Sequence, residues 1–508
     1  MRLLRRNALG VYGVYAAAIV SGLVVTPIVI HSIGKESFGV WTFIGAVTIY
    51  LSVLDFGVGP SIVRFAAEAR GRGARDDLNE IASTGLSMYA AIGLVTLPVG
   101  LVLAYLVPAL SHAPDDLVWD ARIATFLVVL SLAARFPLGL FNNLLVARQR
   151  WDLQNLANFV SIVLYAVLVA VLMPHHGGLV LLGALTLGTT LLRLVLPLFW
   201  LKRELPELRV RPHFVSRARL RELTTFSSSN FLVHVAQKIV FSTDVIVVGI
   251  VLGSASTGVY GVAAKLFALA FGIGTAVTSL MFPAFAELEG AGAGERQRRL
   301  LLSGLRGCTA LMLLIALPLL LIPDLLIYGW LQRPGYSEAY PVMSILAGVL
   351  LIHQPIYVLT QFLIARGRQR EVAVVSIVTT LANLALSFLL AWLIGLWGVA
   401  LSTLVTDVLA LLYIVPRYAA PSAGTTSREL ARAMVRPVVP ALAVAAVVLV
   451  GLARVWQPDT LLALAPLGAL WTVAAGAAMW RFGLDASERA RLGRELGARS
   501  RGPAVLEA

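Results

Sequence analysis

Charge is scarce in this chain: 13% of its 508 residues are Asp, Glu, Lys or Arg, against 58% hydrophobic residues. So little polar surface cannot coat a soluble body of this size, which excludes a soluble helical solenoid. Cysteine is almost absent. The single Cys308 sits in an apolar run, so neither a disulfide framework nor a cysteine metal cluster is available, and no metal or cofactor is expected. Long hydrophilic connections are also missing. The longest, 202–222 and 324–340, are too short for a catalytic domain, so any chemistry must take place between helices. Acidic residues are few as well, 27 against 41 basic ones, for a net charge of +14. That excess is spread over short loops and not gathered in a basic domain, which argues against nucleic acid as a partner.

What the chain has is apolar length. Its mean hydropathy is +0.85, and about 20 apolar residues suffice for a helix to cross a bilayer. Fourteen such stretches can be counted, at 9–30, 38–63, 81–107, 121–146, 154–173, 179–201, 223–252, 259–285, 300–322, 340–364, 372–394, 396–415, 438–455 and 461–480. The chain also repeats itself. Ile33-Gly34, Ser37, Gly39-Val40-Trp41 and Ala67-Glu68 return 219 residues later (Gly34 to Gly253) as Leu252-Gly253, Ser256, Gly258-Val259-Tyr260 and Ala286-Glu287. Pro137 likewise matches Pro355, and Pro197 matches Pro416. The expected fold is therefore an all-α polytopic membrane protein of about 14 transmembrane helices, two six-helix repeats plus two C-terminal helices. The expected division is an N-lobe at 1–201, a cytoplasmic linker at 202–222, a C-lobe at 223–416, helices 13 and 14 at 417–481 and a cytoplasmic tail at 482–508.

Orientation follows from the loops. Connections on one side hold nearly all the loop Lys and Arg, and those on the other hold Lys35 and Arg333. Both termini are thus expected in the cytoplasm, with the repeats parallel and their symmetry axis along the membrane normal. The basic start, Arg2, Arg5 and Arg6, precedes a long apolar run followed by further spans, and is read as an uncleaved first helix.

The residues Thr26-Pro27, Ile33-Gly34, Phe38-Gly39-Val40-Trp41, Leu54-Asp55-Phe56-Gly57 and Arg64-Phe65-Ala66-Ala67-Glu68, with Gly395-Leu396-Trp397-Gly398 in the second half, carry a resemblance over both repeats. The chain resembles the polysaccharide transporter family, the Wzx-type flippases of O-antigen and exopolysaccharide units, within the superfamily of multidrug, oligosaccharidyl-lipid and polysaccharide exporters. The resemblance implies V-shaped lobes and an inner-membrane protein. It also implies a non-enzymatic function: alternating-access transfer of an undecaprenyl-pyrophosphate-linked oligosaccharide. It implies a coupling proton or sodium ion, with a polysaccharide polymerase and chain-length machinery as further partners. A multidrug exporter or a lipid II flippase of the same superfamily are the neighbouring readings. A membrane-embedded polysaccharide polymerase is a third, and would need the large outward loop that this chain lacks.

Polar residues inside spans are the site candidates, because a charge at mid-membrane costs about 2.5 to 3.5 kcal/mol on insertion scales. Arg135, Lys238 and Lys265 are the deep cations and would hold the pyrophosphate. Arg193, nearer the cytoplasmic end, is expected to snorkel, as are Arg122 and Arg454 at span ends. Asn230, His234, Gln237, Phe241 and Asp244 share one helical face that suits a cavity stripe. His353 and Gln354 precede Pro355 as Arg135 and Phe136 precede Pro137, and paired helix interruptions there point to the transport site. Asp244 and Asp407 are the ion-coupling candidates. Asp55, before the helix-breaking run that holds Gly57, is expected to cap the next turn. Asn158, Ser161 and Tyr165 match Ser376, Thr379 and Asn383, and are read as hydrogen-bonding glue ahead of sugar contacts.

Overall fold

The computed structural model describes residues 2–456, 458–483 and 489, without the side chains of residues 2–9, 12, 228–242, 446 and 483. Among the described residues every regular element is helical. The order is α1 (Arg2–Leu51), α2 (Val58–Gly71), α3 (Arg75–Leu110), α4 (Val118–Ala147), α5 (Trp151–His176), α6 (Leu179–Glu204), α7 (Arg217–Thr278), α8 (Met281–Gly290), α9 (Gly294–Leu321), α10 (Pro323–Leu331), α11 (Ala339–Ala365), α12 (Gln369–Ile394), α13 (Leu396–Ile414), α14 (Ala420–Ala423), α15 (Ser427–Val435), α16 (Val438–Ala445), α17 (Ala453–Trp456) and α18 (Leu461–Ala478). Among the described residues, twelve helical stretches are long and apolar enough to span a bilayer. Two of them, Gly13–Gly71 and Thr243–Gly290, run through a break at Gly34 and at Gly253. The first holds the first two segments read from the sequence; the second holds the eighth and only the end of the seventh, whose residues 228–242 are described as backbone alone.

The two breaks are the repeat pair, and their cause is backbone conformation. Gly34 has φ 81° and Gly253 φ 84°, a region that side-chain-bearing residues enter only with strain. Just beyond them the chain crosses itself closely. A Cβ on Gly39 would stand 1.8 Å from the Ser254 carbonyl oxygen, and one on Gly258 2.3 Å from that of Lys35. Lys35 and Ser254 are themselves repeat-related, so the crossing exchanges like contacts, and glycine alone lets the backbones approach this far.

The chain forms two compact units, Met1–Gly261 and Val262–Ala508. In the first, Ile62, Ile81, Phe136, Leu140, Leu144 and Leu145 form a buried core among α2, α3 and α4. The segment after α6 is strapped along α3. Backbone amides of Arg209, Arg211 and Ser216 donate to Asn79 Oδ1, Ser83 Oγ and Thr84 Oγ1 at 2.8, 3.1 and 3.1 Å. In the second unit, Phe285, Leu305, Met312, Leu359 and Phe362 form the core. The last two apolar segments dock on α9. Trp471, fully buried, packs near Leu313 and Leu317 and donates from Nε1 to the Leu314 carbonyl at 2.8 Å. Thr426 and Thr460 cap the helices that open this appendage, accepting from the amides of Glu429 and Ala463.

Neither Pro137 nor Pro355 breaks its helix: α4 and α11 run through both, contrary to the interruptions expected from sequence. At Pro137 the carbonyl freed four residues earlier, that of Ala133, lies against α3. Gly93 of α3 lies so near the Ala133 carbonyl that a Cβ there would approach it to 2.8 Å.

Candidate functional site

The first unit contains a cavity of about 620 Å³ whose wall includes Asp55, Arg64, Tyr89, Arg135, Asn142, Asn143, Trp151, Gln154, Asn158 and Arg193. Helix phase brings them together. Arg64 projects from α2, Arg135 from α4 and Arg193 from α6, while Trp151, Gln154 and Asn158 share one face of α5. Arg64 stacks on the rings of Phe226 and Phe65, with its guanidinium carbon 4.6 and 5.3 Å from their centroids. Arg135 is exposed to this space and Arg193 is half-buried within electrostatic reach of it. Among the described residues, none of the three arginines is held in a salt bridge. One carboxylate, Asp55, shares the wall with them.

Asp55 does not cap the next turn as expected. After the 3-10 turn Ser52–Asp55, Phe56 and Gly57 both adopt left-handed backbone, with φ 47° and 77°, and Gly57 occupies the cap of α2 with no side chain bonded to it. That double reversal turns the carboxylate into the cavity, beside the Tyr89 hydroxyl. The Asn143 amide donates to the same Tyr89 oxygen at 3.1 Å. All three converge over Gly59, where an added Cβ would meet Tyr89 Oη at 3.1 Å, Asn143 Nδ2 at 3.3 Å and Asp55 Oδ2 at 3.7 Å.

Arg193 and Arg64 escaped the sequence reading. Arg193 was expected to snorkel and Arg64 fell among the loop cations, yet both face the cavity of Arg135. The signal available was helical phase, because Arg193 interrupts the apolar run 179–201 of α6, a helix that packs on α4. Arg122 is a different case, lying over the rings of Tyr105 and Trp119 at 4.8 and 5.0 Å. Arg454 pairs with Asp324.

In the second unit, two residues given separate roles meet. His353 Nδ1 lies 2.9 Å from Asp407 Oδ2, with the His353 ring packed 5.5 Å from that of Phe271. The neighbouring Gln354, fully buried, donates to the Phe271 carbonyl at 3.2 Å. Lys265 stands on the helix that carries Phe271, exposed at its side chain, and carries no salt bridge among the described residues. Asp244 belongs to the first unit and is buried there, accepting from Tyr260 Oη at 3.1 Å. The side chains of Asn230, His234, Gln237, Lys238 and Phe241 lie outside the described residues, so the expected stripe on α7 has no structural account here. Of the matched polar triplets, Ser161 bonds the Thr189 carbonyl at 2.8 Å and Asn383 donates to Ser402 and Thr403, so both act as interhelical glue. Asn158 instead lines the cavity.

The profile of the family described as "Polysaccharide biosynthesis protein" matches residues 4–289, more than half of the chain. A curated relative, "Uncharacterized membrane protein EpsK" of Bacillus subtilis (strain 168), is 23% identical over 429 residues, covering 81% of this chain and 82% of its own. Among solved structures, the fold is similar to "Lipid II flippase MurJ, inward closed conformation", with a TM-score of 0.70 at 13% identity over 94% of this chain and 98% of that one. It is also similar to "Inward-facing conformation of a multidrug resistance MATE family transporter of the MOP superfamily", with a TM-score of 0.65 at 15% identity over 79% of this chain and 93% of that one. The chain belongs to the polysaccharide biosynthesis protein family and is a multi-pass helical membrane protein, with a fold shared by those two solved structures.

Proposed function

We propose that the protein flips a lipid-pyrophosphate-linked oligosaccharide, an undecaprenyl-linked repeat unit, from the cytoplasmic to the outer leaflet of the inner membrane by alternating access. The observation that carries this reading is the trio Arg64, Arg135 and Arg193 around one cavity, with no salt bridge to any of them among the described residues. Unpaired guanidinium groups in an apolar unit are stable only where water or an anion solvates them. A pyrophosphate leaving water needs that same compensation, and a guanidinium fork supplies it through paired charge-assisted bonds. Cationic drugs would be repelled by the same wall, which ranks export of such compounds lower. Lys265, in the second unit, is a further cation proposed to meet the anion.

In this reading residues 1–201 and 223–416 are the two moving lobes, and both termini lie in the cytoplasm, as the loop charges favour. The coupling ion, a proton or sodium, is exchanged at the buried carboxylates. Asp407 is favoured by its 2.9 Å contact with His353, a side chain able to give or take a proton. Asp244 is the second such carboxylate.

The test is transfer of a fluorescent lipid-linked repeat unit across liposomes containing the purified protein. Arg135→Ala and Arg193→Ala should each slow transfer roughly 10- to 100-fold, the equivalent of a lost charge-assisted bond. Arg454→Ala, at a residue absent from the cavity wall and paired with Asp324, should leave it unchanged. Parental rates in both cavity variants would overturn the anion site and this reading with it.

A further inference from the structure

We infer that the α5 face formed by Trp151, Gln154 and Asn158 is a sugar subsite, selecting a neutral hexopyranose or N-acetylhexosamine next to the diphosphate. The inference rests on the diphosphate reading of the arginine cavity and adds the chemistry of what is attached to it. Trp151 is the first residue of α5 and 41% exposed. An indole at a helix end is commonly a membrane-interface anchor. Trp151 differs in lining the same cavity as Arg135 and Arg193, together with Gln154 and Asn158, three and seven positions along the helix. Those spacings place all three on one face.

The chemistry of that face matches a pyranose. A sugar ring has an apolar C–H face and a rim of hydroxyls that both donate and accept. An indole offers a large, rigid apolar surface for the first, at small entropic cost. Side-chain amides offer a donor and an acceptor each for the second. Neither Gln154 nor Asn158 has a side-chain hydrogen bond to another described residue, so both amides are available to a ligand. The face carries no charge, so it adds nothing to diphosphate binding and selects on the sugar alone. The repeat-related positions in the second half are Gln369, Val372 and Ser376, with no aromatic among them. The platform is therefore not a requirement of the scaffold.

The experiment uses the full chain in lipid nanodiscs and two kinds of probe: farnesyl diphosphate, and farnesyl diphosphate carrying glucose or N-acetylglucosamine. Calorimetric titration of the parental protein should give roughly tenfold tighter binding for a sugar-bearing probe than for the bare one, within the range of aromatic stacking plus a hydrogen bond. Trp151→Ala, and the double substitution Gln154→Ala with Asn158→Ala, should erase that gain while leaving farnesyl diphosphate binding unchanged. Trp151→Phe should keep much of it. The inference is overturned if the gain survives both variants, if Trp151→Ala weakens both kinds of probe equally, or if no sugar-bearing probe gains over the bare one. Arg135→Ala separates the two readings: it should weaken every probe alike, and if it weakens none, the diphosphate reading fails while the fate of the sugar gain in Trp151→Ala still decides the subsite.

Discussion

The two halves of the chain carry the same helix pattern and opposite electrostatics at matched positions. In the first, Arg135 precedes Pro137 by two residues and faces a cavity with no acidic partner bonded to it among the described residues. In the second, His353 holds the same place before Pro355 and is bonded to Asp407 at 2.9 Å. The positions matching Arg64 and Arg193 are Pro283 and Leu412, and Leu412 is 65% exposed with no charge to offer. Duplication thus supplied one scaffold twice, and substitution left arginines around a cavity in one copy and a hydrogen-bonded His–Asp pair in the other. An unpaired charge is costly to keep and is retained where it binds something, whereas a satisfied pair contributes to the fold and can respond to an ion.

The sharpest way to break this contrast is charge reversal. Arg135→Glu should abolish transfer, by more than about 100-fold, since it replaces attraction with repulsion at the anion and adds the cost of an unpaired carboxylate. His353→Gln, which keeps a hydrogen bond to Asp407, should cost far less in the same vesicle assay. Equal losses from the two would mean that the halves contribute alike and that the asymmetry of charge has no functional weight.

Stability should show the reverse order. Asp407 is 6% exposed, so His353→Ala leaves a buried carboxylate without its partner and should destabilise the protein by about 1–3 kcal/mol. Asp407→Ala added to His353→Ala should cost less than the sum of the single changes, the mark of a direct pair. Arg135→Ala removes no bonded partner and should leave the melting temperature unchanged or slightly raised. Thermal unfolding of the detergent-purified variants reads all four, and additive losses at His353 and Asp407 would dissolve the pair.

Much of this was legible in the sequence because it depends on pattern. Apolar length gave the spans, and the Ile33-Gly34 and Leu252-Gly253 repeats gave the breaks, since a positive φ selects glycine. The site was less legible because it depends on phase and on partners. Asp55 reads as a cap from its helix-breaking neighbours, but Phe56 and Gly57 together carry the carboxylate away from the amides it would have capped. Arg64 and Arg193 were sorted by distance from span ends, a linear measure, while their direction is set by which face of α2 and α6 meets α4. That Asp407 and His353 meet could not be read from their separation in the chain, because it arises from the packing of α11 on α13.

The smallest expected effect is the most informative, because it tries to convert one half into the other. By the repeat, Asp407 matches Gly188 on α6, at the same offset that maps Pro197 onto Pro416. Gly188 is exposed and a Cβ there would meet nothing within 4 Å, so a side chain can be added without a clash. It lies in regular helix, where replacing glycine should by itself raise stability by up to about 1 kcal/mol. Gly188→Asn carries that backbone gain and serves as the reference. Gly188→Asp should in addition give Arg135 the carboxylate that His353 already has, one turn and a half before Arg193 on the same helix. The salt bridge would add at most about 1 kcal/mol of stability beyond Asn in a wet cavity. It should slow transfer severalfold beyond Asn, because the anion must now displace an internal rival for the guanidinium. If Asp and Asn at this position behave alike in both the melting curve and the transfer rate, Arg135 does not face α6 as His353 faces α13, and the two halves differ in geometry as well as in charge.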